Sequence, residues 1–104
     1  MLIFDENQLK TILIEEEGIE ESKTFFIIEN LKTLDDRLQE AMDQWMKDRS
    51  ISNFDVEGVD LKFIMEKGKV NFHNALTIMN AFLYDPNLAE TYKQNPYGFS
   101  GPMR

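Results

Sequence analysis

Carboxylates are the side chains whose type and spacing most invite chemistry in this chain. Nineteen of the 104 residues are Asp or Glu, and the densest run reads Glu15-Glu16-Glu17-Gly18-Ile19-Glu20-Glu21, with Glu40 and Asp43 further on. Two acids three residues apart share one face of a helix. Two such pairs on facing helices would supply the oxygen ligands that Mg²⁺ takes while it keeps several waters. Glu17/Glu20, Glu40/Asp43 and Glu57/Asp60 all have this spacing. With so many acids, chance alone places about three such pairs in the chain. A solvated acidic face therefore accounts for the pattern as well as a metal site does, and Gly18 more naturally ends a helix than sits inside one.

The other chemistries fare worse. The absence of cysteine removes disulfides, thiolate metal sites and cysteine nucleophiles. His73 is the lone histidine, and no Ser–His–Asp arrangement can be built around it from spacing. It reads as a half-exposed histidine on the edge of a helix stripe. The five glycines, at 18, 58, 68, 98 and 101, are scattered and have neither the GxGxxG nor the Walker A spacing. No catalytic, cofactor-binding or metal-binding set is assigned, and no cofactor is expected.

Two alternatives remain beside a binding role. The pairs Glu17/Glu20 and Glu40/Asp43 resemble the ExxE…ExxD pattern of all-helical MazG-type nucleotide pyrophosphohydrolases. That resemblance implies Mg²⁺ held by these carboxylates against a nucleoside triphosphate. The stretch from Asp60 to Leu83, with Gly68 between two helical patterns, invites a helix-turn-helix regulator in which Asn71, His73 and Asn74 would read bases. Its second helix has no Lys or Arg to grip phosphates, and the net charge of −8 opposes nucleic-acid binding generally.

The elements that would position these residues read mainly as helices. Asp5 or Asn7 caps a first helix to about Glu17, with Leu9, Ile12 and Leu13 inward and Gly18 as terminator. A second start lies at Glu20-Glu21-Ser22, with Phe25, Ile28 and Leu31 at helical spacing. Periodicity alone leaves 22–32 open between helix and buried strand. Thr33 offers a cap for a third helix whose stripe is Leu34, Leu38, Ala41, Met42 and Trp45. Met46 and Ile78 fall off the main stripes and become candidates for a second apolar contact. Residues 50–59 suit an extended connection or short hairpin. Asp60 then caps a helix from Leu61 to Lys67 that ends at Gly68, a longer helix runs to about Tyr84, and Asp85-Pro86 opens a last one to about Gln94. Residues 95–104 read as a loop or tail in which Tyr97 and Phe99 are apolar enough to dock. The first half, with its glycine–apolar turn after helix one, is similar in general spacing to the three-helix ubiquitin-associated domains.

The expectation is an all-α chain: a bundle of five or six short helices in a single domain over 1–94, with a flexible or docking tail over 95–104. No apolar run approaches the roughly 20 residues that a bilayer span needs, and the N-terminal residues carry no secretory pattern. A soluble, cytoplasmic protein is the simplest reading. Charge is lopsided: residues 1–49 hold thirteen acidic and six basic side chains, net −7, against −1 for the remainder. This favours a small acidic protein-interaction module that meets a protein partner through a basic surface, with neither nucleic acid nor membrane as partner and a homodimer also compatible. Inhibitors, immunity proteins and regulatory adaptors of bacteria or mobile elements have this profile. The partner-binding candidates are Glu16, Glu17, Glu20, Glu21, Met46, Tyr97 and Phe99.

Overall fold

The computed structural model describes residues 3–96. Tyr97 and Phe99 lie outside them. Among the described residues, six helices and one two-stranded hairpin make up a mainly α structure. It divides into two compact units, the first ending at Ser50 and the second beginning at Ile51. That boundary coincides with the change in charge density along the sequence.

Unit 1 has three helices. α1 (Glu6–Glu15) begins where the Asp5 carboxylate accepts the Asn7 and Gln8 N–H groups at 2.9 and 3.1 Å. It closes through Gly18, whose φ of +68° lets the Ile19 N–H reach back to the Leu13 carbonyl at 3.0 Å. The open question over 22–32 resolves as helix: α2 spans Glu21–Leu31. Its buried residues are Thr24, Ile28 and Leu31, so Phe25 is turned outward rather than inward.

α3 (Asp36–Asp48) is capped by Asp35, which accepts the Arg37 N–H at 2.9 Å. Thr33 is not the cap; its hydroxyl donates to the Asn30 carbonyl at 2.7 Å. The buried face of α3 is Leu38, Gln39, Ala41, Met42 and Met46, while Trp45 is only half-buried. The expected roles of Trp45 and Met46 are thus exchanged. The reason is Gln39, a buried polar residue whose amide donates to the Lys32 and Leu34 carbonyls at 3.1 and 3.0 Å. Those bonds tie down the α2–α3 connection, and a face that includes Gln39 is rotated toward Met46 and away from Trp45. At 3% exposure Met46 offers no surface for a second apolar contact.

Unit 2 opens with the hairpin β1 (Asp55–Val56) and β2 (Val59–Asp60), antiparallel with Val56 opposite Val59. Glu57 and Gly58 both have positive φ, 52° and 84°, which matches the right-handed twist that two-residue hairpin loops need. Asp60 caps α4 (Leu61–Gly68) through the Phe63 N–H at 2.8 Å. Gly68, read as the terminator, is the last, buried residue of that helix, and Lys69 follows it with a left-handed backbone, φ 59°. α5 (Phe72–Tyr84) is capped by Asn71, and α6 (Pro86–Gln94) by Asp85 with proline at its first turn.

At the centre of unit 2 is Tyr92, fully buried. Its ring meets Phe82 and Phe63 at centroid distances of 5.5 and 6.1 Å, and its hydroxyl donates to the Ile64 carbonyl at 3.3 Å. α6 is thereby joined to both α4 and α5.

His73 is also buried rather than half-exposed, and burial lowers its pKa below the ordinary 6.5. The folded state thus prefers neutral imidazole, whereas the unfolded chain takes up a proton as pH drops below about 6.5. Stability should be complete above that value and decline as the pH falls through it. The decline levels off below the depressed folded pKa. Melting temperatures between pH 5 and 7.5, compared with those of His73→Gln, measure this; parallel curves would show that His73 makes no contribution.

Candidate functional site

The acidic candidates lie where α1 ends and α2 begins. Glu16, Glu20 and Glu21 are exposed and Glu17 is half-buried. Burial raises the Glu17 pKa, and neighbouring Glu16 adds to the rise while Arg49 opposes it. Glu21 pairs with Lys10 of α1 at 3.0 Å. Glu16 pairs with Arg49 at 2.5 Å.

Arg49 follows α3 with a left-handed backbone, φ 62°. Its guanidinium donates to the Met46 and Trp45 carbonyls at 2.8 and 3.2 Å and lies 4.8 Å from the centroid of a Trp45 ring. One cation therefore terminates α3, covers the half-buried indole and reaches the end of α1. Arg49→Ala should destabilise the unit by about 1–2 kcal/mol, the sum of an exposed ion pair, a C-terminal helix contact and a cation–π contact. Arg49→Gly should cost about 1 kcal/mol less, because glycine relieves the left-handed strain that alanine retains. Urea denaturation of both variants tests the split; equal losses would mean that the backbone stores no strain.

The metal-ligand pattern does not assemble as a helical motif. α1 stops at Glu15, α2 starts at Glu21, and Gly18 turns the chain between Glu17 and Glu20. These two carboxylates therefore do not lie one turn apart on a helix. Among the described residues no group of three or more His, Cys, Asp or Glu is placed to hold a metal ion. In the helix-turn-helix reading His73 is buried, so of the three proposed base readers only Asn71 and Asn74 are exposed, and Asn71 is used as a helix cap.

A feature not anticipated from the sequence lies on α2. Phe25 and Phe26 are 62% and 71% exposed, with their rings edge-on at 5.5 Å. Four consecutive apolar residues, Phe25–Ile28, sweep about 300° of a helix surface. One buried face cannot cover that arc, and this is the signal that could have exposed the pair. Phe25 forms one wall of an open groove of about 410 Å³ between α1 and α2. Ile28 and Thr24 also line it, together with Asn7, Lys10 and the carboxylates of Glu6, Glu21 and Glu29. Lys32 stands beside it, 3.0 Å from Glu6 and 2.8 Å from Glu29. Hydrogen bonds to Glu29 and then Glu6 raise the Lys32 pKa, so this lysine stays charged.

Compared with protein-family models, curated proteins and solved structures, the chain matches none. Among the described residues no helix is long and apolar enough to cross a membrane.

Proposed function

We propose that the chain is a protein-interaction module whose acidic unit 1 binds the basic surface of a partner protein, acting by occupancy rather than by turnover, as inhibitors and regulatory adaptors do. The observation that carries this reading is the exposed Phe25–Phe26 pair on a helix of the acidic half. Single exposed apolar residues are ordinary, but adjacent aromatic rings rimmed by charge have the composition of an interface centre. The acids divide the work with them. Long-range attraction from a net charge of −7 in residues 1–49 accelerates encounter, while the rings supply short-range contact.

The test is affinity capture from the source cell extract, followed by reconstitution with the purified captured protein. Both rings are exposed, so Phe25→Ser/Phe26→Ser should leave the fold intact by circular dichroism. Wild type should bind the partner, added salt should weaken binding, and the double variant should lose roughly tenfold or more in affinity, as aromatic interface anchors do. Binding that ignores both the rings and ionic strength would refute the reading.

A further inference from the structure

We infer that the α1–α2 groove receives an amphipathic segment of the partner, which sets an aliphatic side chain against Phe25 and Ile28 and a Lys or Arg beside the Glu6–Lys32–Glu29 cluster. This rests on the protein-binding reading and adds to it the place and chemistry of contact. The argument is charge complementarity around an apolar wall. Lys32 serves Glu6 and Glu29 together, two carboxylates on one ammonium, which leaves a formal charge of −1 with unused acceptor capacity at the groove. Lys10 is already committed to Glu21, so no cation is in surplus there.

Phe25 and Glu29 are four residues apart on α2 and so stand on one face. An incoming segment therefore meets an aromatic surface and, about one helical turn away, an acid that shares its only ammonium partner with Glu6. A helix with an aliphatic residue and a Lys or Arg at i,i+4 has the matching period. A second copy of this chain fits poorly, because pairing two units through this groove would bring two −7 halves together and set like charges face to face. Nucleic acid is disfavoured by the same carboxylates.

The probe is a short synthetic helical peptide with Leu and Lys four residues apart on one face, titrated into the full chain and followed by backbone amide NMR. Saturable shifts should concentrate on α1 and α2 around Asn7, Lys10, Phe25 and Ile28. Phe25→Ser and Glu29→Lys should each weaken binding by about tenfold, whereas Glu40→Lys, an equal charge change on an exposed position of α3, should leave it within about twofold. A peptide with Glu in place of Lys should not bind. No saturable binding, shifts outside the two helices, equal binding of the Glu peptide, or equal effects of Glu29→Lys and Glu40→Lys would each overturn the inference. So would Phe25-dependent self-association in sedimentation, which would give the groove to a second copy. If partner capture depends on Phe26 while Phe25→Ser and Glu29→Lys leave it unchanged, the protein-binding reading survives and the groove assignment fails.

Discussion

Tyr92→Ala is expected to destabilise unit 2 by about 3–5 kcal/mol, as large aromatic truncations in a core do. Tyr92 is fully buried, and its ring contacts and hydroxyl bond join α6 to α4 and α5. The truncation leaves a void lined by Phe63 and Phe82 and deprives the Ile64 carbonyl of a donor. A domain of this size commands roughly 5–15 kcal/mol in total, so the loss is a large part of what holds it folded. Tyr92→Phe separates the two contributions. It keeps the ring packing and loses only the hydroxyl bond, with an expected cost of about 1 kcal/mol. Urea denaturation followed by far-ultraviolet circular dichroism measures both. If alanine and phenylalanine cost the same, the ring would not be the keystone that its burial implies.

Neutralising Glu16, Glu17, Glu20 and Glu21 together as glutamines is the second large effect, and it falls on association rather than stability. The four substitutions remove half of the chain's formal charge of −8. If these acids steer the partner, the association rate at low salt should fall by about tenfold or more, since steering contributes between about 10- and 1000-fold. The difference should fade toward 1 M salt, where the screening length shrinks to about 3 Å. Two ion pairs are lost, Glu16–Arg49 and Glu21–Lys10, but exposed pairs contribute only about 0–1 kcal/mol each, so the variant should remain folded. Stopped-flow or surface-based kinetics with the captured partner provides the readout. An on-rate that does not change, or that changes equally at all salt concentrations, would count against the acidic corner.

These two predictions differ in how much of their basis could be read from the chain. The acids at 16, 17, 20 and 21 are visible as composition, and their solvent exposure follows from the cost of burying charge. Tyr92 is not visible in the same way. A tyrosine on the short, polar helix PNLAETYKQ gives little periodic signal, and its burial depends on Phe63, Phe82 and the Ile64 carbonyl, residues 10 to 29 positions away.

The same division runs through the candidate surface. Local chemistry was enough to narrow the first cap to Asp5 or Asn7 and to place the caps at Asp60 and Asp85, the turn at Gly18 and the start at Pro86, because each depends on one side chain or one φ angle within a few residues. Sequence also fixed the helical class and the acidic first half. Where local signals compete, packing decided. It made 22–32 a helix, turned Phe25 and Phe26 outward because Thr24, Ile28 and Leu31 took the buried face, and exchanged Trp45 for Met46 because Gln39 had to reach two backbone carbonyls. Hydropathy records how apolar a residue is, whereas burial depends on which face meets a neighbour. A buried amide whose NH2 group bonds to the backbone can shift that face by one residue, and no apolar pattern announces it.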